Sequence, residues 1–128
     1  MEILGTGIDI IEVKRIKNSI KNQNFIKRIF SPKEILFSKS YKNKASFFAK
    51  RFAAKEAFAK SIGTGFRKNL NLKDIAISND KNGKPYILIS NKLKKIIINH
   101  FKIKRFIFSL SISDEKNYSV AIVIFQKK

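Results

Sequence analysis

The chain has 128 residues, 44% hydrophobic and 29% charged, which suffices for one packed domain over 1–128 and argues against global disorder. With no cysteine and one histidine, His100, disulfide frameworks, thiolate zinc sites, cysteine nucleophiles and histidine-rich metal sites are excluded within a single chain. The net charge of +19 points to a polyanionic partner, whether nucleic acid, a phosphorylated cofactor or an acidic protein.

The first predicted element is a β-branched strand, ILGTGIDIIEV over 3–13, in which Gly5 and Gly7 mark a close approach of backbone or ligand. Helical spacing follows through Ile16, Ile20, Phe25, Ile26, Ile29 and Phe30, with a break over 22–24. Ser31, Pro32 and Glu34 form a capping box with proline at the first helical position, predicting a short helix over 32–39. A longer helix is predicted over 44–62, because Phe48, Phe52 and Ala59 share one stripe and Phe47, Ala54, Phe58 and Ile62 lie beside it; Gly63 ends it. A loop over 63–71 leads to a strand through Leu72, Ile75 and Ile77, a turn over 79–83 and a returning strand over 85–90. A helix over 91–100 and two strands, RFIFSLSIS over 105–113 and YSVAIVIFQ over 118–126, complete the pattern. Strands at both ends of a helical block predict an α+β fold with a largely antiparallel sheet packed against helices. No apolar run approaches the roughly 18 residues of a membrane span. Glu2, Asp9 and Glu12 do not suit a secretory signal, so the expectation is a soluble, cytoplasmic protein with no membrane partner.

The +19 charge carries less information than its size suggests. Lysine outnumbers arginine 23 to 5, a bias that AT-rich coding spreads over a whole surface, so the scarce charges are the ones to read. Asp9 interrupts the apolar run Ile8, Ile10, Ile11, where a carboxylate is costly unless paired, hydrogen-bonded or metal-bound. Alternation alone would turn it to solvent, with Gly7 and Ile11 on the same face. In RFAAKEAFAK, over 51–60, Arg51, Lys55 and Glu56 are neighbours, and Glu56 and Lys60 are four apart, which by itself reads as an ordinary surface pair. Ala53, Ala54, Ala57 and Ala59 let this face approach another backbone or a ligand closely. A carboxylate flanked by cations on such a face suits a divalent metal carrying a phosphorylated ligand, since Mg²⁺ takes one or two carboxylates and completes its shell with phosphate and water. Gly63, Thr64 and Gly65 offer backbone amides to phosphate, or serve as a helix cap and turn. His100, near a helix end, suits a dipole or surface role.

These pieces combine into a known pattern. GTGIDIIEVKRI over 5–16 and FFAKRFAAKEAFAKSIGTG over 47–65, with NGKPY over 82–86 between them and the last hairpin, resemble the holo-acyl-carrier-protein synthase family of 4′-phosphopantetheinyl transferases. The resemblance implies that family's fold and transfer of 4′-phosphopantetheine from coenzyme A to a serine of apo-acyl carrier protein, with release of 3′,5′-ADP, which activates the carrier for fatty acid synthesis. It implies Asp9 and Glu56 as Mg²⁺ ligands and Lys60 as a stabiliser of the leaving phosphate. Arg51, Lys60, Gly63, Thr64, Gly65, Lys84 and Pro85 become the coenzyme A contacts. The serine proton has two candidate acceptors, Glu56 or a metal-bound water. Short members form homotrimers with active sites between subunits. Many members carry two histidines near the last hairpin where this chain has Ser109 and Asp114.

An acidic carrier protein needs a basic docking face, and Lys14, Arg15, Lys17, Lys21, Lys27 and Arg28 supply one. Arginine at 15 and 28 in a lysine-biased chain suggests bidentate carboxylate recognition, unless these two pair within the chain, for example with Glu12 or Glu34. The competing class, a nucleic-acid-binding module, lacks a clustered arginine and aromatic strand motif or a recognition helix and leaves Asp9 and Glu56 unexplained, so no nucleic-acid partner is expected.

Overall fold

The structure, a computed structural model, describes residues 1–68 and 70–128, and the backbone alone of Thr64. Strand β1 (Glu2–Glu12) leads into three short helices, α1 (Val13–Ser19), α2 (Gln23–Ile29) and α3 (Pro32–Ser38). The long helix α4 (Lys44–Ile62) and the single turn α5 (Thr64–Arg67) follow. Then come β2 (Ile75–Asn79), β3 (Pro85–Ile89), α6 (Asn91–Phe101), β4 (Phe106–Asp114) and β5 (Tyr118–Lys127). The strands form two antiparallel sheets, a three-stranded one in the order β1-β5-β4 and the hairpin β2-β3. The α+β reading therefore holds. The predicted loop over 63–71 instead contains α5, and Leu72 belongs to a 3₁₀ turn (Leu72–Asp74) capped by the Asn71 side chain rather than to a strand. Part of that predicted loop, Asn69, lies outside the described residues.

Helix α4 is the axis of the molecule, buried over most of its circumference, with Ala45, Phe52 and Glu56 half-buried and Lys60 exposed along the remaining stripe. The Asn43 side chain caps its start by accepting from the Ser46 amide, and Gly63, at φ 92°, ends it. The three-stranded sheet lies against one side through β1 and β5, while α1, α3 and β2 pack on others. Aromatic side chains fill the ends: Phe30 and Phe48 meet at 4.6 Å, and Phe58, Phe108 and Phe125 stack between α4 and the sheet.

Two contacts set the geometry around α4. The first is backbone on backbone. A Cβ at Gly7 would lie 1.9 Å from the Ala57 carbonyl oxygen and 2.7 Å from the Ser61 amide nitrogen, and a Cβ at Gly5 would lie 1.9 Å from the Ser61 carbonyl oxygen. Of the two approaches left open for Gly5, Gly7 and the alanine face, the structure uses the backbone one: glycines of β1 rest directly on α4, and Ala53, Ala54, Ala57 and Ala59 are buried there.

The second contact is a buried ion pair. Lys55 and Glu34 are both fully buried and bonded to each other. The Lys55 ammonium also donates to the Ile29 carbonyl at 2.8 Å and the Leu72 carbonyl at 3.1 Å, so all three of its protons have acceptors. Glu34 accepts from the Ser31 amide at 2.9 Å, as its capping box requires, and from the Ile77 amide at 3.1 Å. Burial pushes the Lys55 ammonium below the ordinary lysine range, and Glu34 opposes that shift. One buried pair thus ties α2, α3, α4, the 3₁₀ turn and β2 together, and removing one partner of such a pair costs about 3–5 kcal/mol.

The glycines predict a contrast in stability. Gly7→Ala should destabilise the fold by about 3 kcal/mol or more, because only backbone stands in the way of the new methyl. Gly65→Ala, whose Cβ would meet nothing within 4 Å, should stay within about 0.5 kcal/mol of the parent. Urea unfolding of both variants checks this, and equal midpoints would contradict the close-contact account.

Candidate active site

Asp9 lies two residues beyond Gly7 on the same face of β1, so the contact that brings the glycines onto α4 brings its carboxylate there as well. It is not turned to solvent: the face shared by Gly7, Asp9 and Ile11 is the helix side, while Ile8 and Ile10 point outward at 60% and 64% exposure. The Lys60 ammonium lies 3.2 Å from Asp9 Oδ1 and donates to the Ile8 carbonyl oxygen at 2.9 Å. Lys60 therefore does not make the four-apart pair with Glu56 that spacing allowed. Glu56 pairs instead with Arg67 of α5, whose Nη2 stands 3.3 Å from Oε1 and 3.3 Å from Oε2.

The two carboxylates feel one another. Burial raises the Asp9 pKa above the usual carboxylate range and the Glu56 charge adds to the rise, while Lys60 and Arg15 oppose it. Among the described residues no three His, Cys, Asp or Glu side chains gather closely enough to form a metal cage. A pair of carboxylates backed by lysine fits the one demanding ligand set that needs no third protein group, Mg²⁺ arriving with phosphate oxygens. A Cβ at Gly65, on α5, would meet nothing within 4 Å, so the fold has no need of a glycine there. The Thr64 side chain lies outside the described residues.

Arg51 sits elsewhere. It is five residues from Glu56, about 140° around the helix. Its guanidinium is buried, stacks 3.6 Å above the Phe47 ring, and donates to the Phe47 carbonyl at 3.2 Å and to Asn79 Oδ1 at 3.3 Å. Its Nε has no partner among the described residues. A cleft of about 330 Å³ opens beside it, lined by Tyr41, Lys50, Asn79, Gly83, Pro85 and Asp114 among others. Of the residues assigned to coenzyme A from the sequence, Arg51 and Pro85 share this cleft and Lys60 belongs to the Asp9 group. Lys84 lines neither; its amide is held by Asp80 Oδ1 at 2.9 Å in the hairpin turn. Asp114 stands 4.0 Å from Lys50.

Of the docking residues, Arg15 is exposed close to Asp9, and Arg28 lies over the Phe25 ring at 6.0 Å. Lys21 lines a groove of about 1220 Å³ with Lys14, Lys17, Lys42 and Lys116. Glu34, the suggested intrachain partner for Arg28, is taken by Lys55. The sequence reading set Lys55 among the cations flanking Glu56, whereas it is buried against Glu34; the signal was its place on the apolar stripe of Phe48, Phe52 and Ala59. Arg67 escaped that reading and carried no signal.

Residues 5–123 match the model of the 4′-phosphopantetheinyl transferase superfamily. The chain belongs to that superfamily. It is 63% identical over 128 residues to the holo-acyl-carrier-protein synthase of Pelagibacter ubique, covering 100% of both chains. The crystal structure of the Neisseria meningitidis synthase superposes with TM-score 0.86 at 40% identity, covering 98% of this chain and 99% of that one. The Bacillus anthracis synthase in complex with CoA (3′,5′-ADP) superposes with TM-score 0.82 at 36% identity over the full length of both.

The raised Asp9 pKa makes a prediction for this transferase fold. The folded-state value lies above the unfolded one, so ionised Asp9 costs the fold stability at neutral pH, and that cost disappears as pH falls through the folded pKa. Asp9→Asn should therefore melt at or above the parent temperature at pH 7, with the advantage shrinking toward pH 4. A variant that melts lower at pH 7 would contradict this.

Proposed function

We propose that the chain is a holo-acyl-carrier-protein synthase, transferring 4′-phosphopantetheine from coenzyme A to a serine hydroxyl of apo-acyl carrier protein. What carries this reading is the meeting of Asp9, Glu56 and Lys60 at the β1–α4 contact. Superfamily membership over 5–123 narrows the chemistry. The serine oxygen forms a bond to the phosphorus of the pantetheine phosphate, the bond from that phosphorus to the 3′,5′-ADP oxygen breaks, and the serine proton passes to Glu56 or to a water. Such transfers need charge neutralisation and in-line positioning more than covalent help. Asp9 and Glu56 would hold Mg²⁺, which neutralises phosphate oxygens when bound. Lys60, fixed by the Ile8 carbonyl, holds its ammonium where negative charge grows on the leaving phosphate. Gly63, Thr64 and Gly65 would lie against the phosphates.

Arg51 and Pro85 complete the coenzyme site from another copy of the chain. The support is geometric: their cleft and the Asp9 group share no residue and lie on different sides of α4. The outer face of the sheet supplies a contact surface. Ile8 pairs with Ile122, and Ile10 with Val120, with Ile8, Ile10 and Ile122 all exposed. Exposed apolar patches are common at protein interfaces, which supports using this face in a homotrimer with active sites between subunits. The acidic carrier docks on Arg15, Lys21 and Arg28, by complementary charge. Among the described residues no helix is long and apolar enough to cross a membrane; the enzyme would meet its carrier in the cytoplasm.

The test is mass spectrometry of apo-carrier protein incubated with coenzyme A, Mg²⁺ and the enzyme. The carrier should gain one phosphopantetheine. Asp9→Asn and Glu56→Gln should remove at least about 99% of turnover while remaining folded, the scale of losing a charge-stabilising group. Near-normal turnover in either folded variant would defeat the assignment. Arg15→Ala should raise the KM for the carrier several-fold, with a weaker salt dependence, and leave the KM for coenzyme A unchanged. A selective loss for coenzyme A would place the docking face elsewhere.

A further inference from the structure

Glu56 faces two demands. The Arg67 guanidinium stands 3.3 Å from each of its carboxylate oxygens, and the metal role proposed above needs that same carboxylate. A guanidinium and a divalent cation repel each other, so both cannot hold Glu56 at full strength. Asp9 has a corresponding internal partner in Lys60, but the two cations are tied down differently. Lys60 rises from the rigid α4 and is also bound to the Ile8 carbonyl. Arg67, although no more exposed than Lys60, has Glu56 as its one polar partner among the described residues. It rides on the four-residue α5, joined to α4 through Gly63 at φ 92°. Arg67 is therefore the cation that can leave. A guanidinium is also suited to the phosphate that would accompany the metal, because its forked donors match phosphate oxygens.

We propose that Arg67 is the internal counter-ion of the metal site: it holds Glu56 until a divalent cation arrives with a diphosphate, and its charge then passes to the phosphate oxygens. This rests on Asp9 and Glu56 being the metal-holding pair. The consequence is cooperativity. A metal ion alone must displace Arg67 without giving it a new partner, whereas metal and coenzyme A together supply one.

The experiment is calorimetric titration of the full chain with Mn²⁺, with and without coenzyme A, for the parent, Arg67→Gln, Arg67→Lys and Glu56→Gln. Arg67→Gln should bind Mn²⁺ alone at least about threefold more tightly, the scale set by removing an exposed ion pair and its positive charge. Its coenzyme A affinity in the presence of Mn²⁺ should fall, so the coupling between the two ligands shrinks. Arg67→Lys, which keeps the charge and loses the fork, should fall between the two. Melting curves establish that each variant is folded, and the lysine variant carries the test if the glutamine variant is not. Unchanged or weaker Mn²⁺ binding by the folded position-67 variants, alongside weakened binding by Glu56→Gln, overturns the role of Arg67 and leaves the metal pair standing. Equal Mn²⁺ affinity in the parent and Glu56→Gln overturns the metal pair, and the counter-ion role with it.

Discussion

Strand β1 lies so close to α4 that no side chain fits between them at Gly5 and Gly7. The reactive geometry depends on that approach. Glu56 neighbours Ala57, whose carbonyl oxygen touches Gly7, and Lys60 precedes Ser61, whose carbonyl oxygen touches Gly5. Asp9, two residues along the same face of the strand, lies toward the N-terminal side of that contact, the direction in which helical side chains lean, and Lys60 reaches its carboxylate at 3.2 Å. A layer of ordinary side chains between strand and helix would separate the carboxylates beyond the reach of a single ion. The approach has a cost. Asp9 is held where burial disfavours its charge, and lysine or a metal must offset it.

The same helix faces two ways. Glu56 and Lys60 look toward β1, while Arg51 looks toward the β2-β3 hairpin and Lys55 into the core. The Lys55–Glu34 pair has no direct contact with the Asp9 group, but it fixes the helices and the hairpin that frame the Arg51 cleft. On the function proposed above, the Asp9 group and the Arg51 cleft would be two half-sites that one chain cannot close on each other. The outward face of β1, with Ile8 and Ile10 beside Asp9, is where copies would meet. One strand would then serve the chemistry with one face and assembly with the other. Such a division would account for the apolar run Ile8, Ile10 and Ile11 with Asp9 as the one carboxylate inside it.

Much of this was legible in the sequence where local chemistry is decisive. The capping box at Ser31 and Glu34 placed α3, and the aromatic spacing with Gly63 placed α4 over its observed bounds. Alternation put Gly7, Asp9 and Ile11 on one face of β1, but it could not say which face was inside, because the outward side is the more apolar one. Helix α5 was missed because four residues carry no period. The partners of Glu34 and Glu56 were missed for another reason. Lys55 is 21 residues from Glu34, and Arg67 is 11 from Glu56 across a helix end, distances at which sequence spacing has no geometric meaning. The motifs that matched the family resemblance supplied Asp9, Glu56 and Lys60 together, and packing then accounts for why those three meet.

The most direct test of the divided site is subunit complementation. Asp9→Asn disables one half-site and Arg51→Gln the other, and each variant alone should be folded and inactive. Mixed one to one, unfolded and refolded together, they should recover about a quarter of the parent activity, because a head-to-tail interface joins two intact halves in one of four random pairings. Recovery at that level would establish that active sites form between copies. A mixture as inactive as its components, in oligomers shown to have exchanged subunits, would mean that each chain builds its site alone.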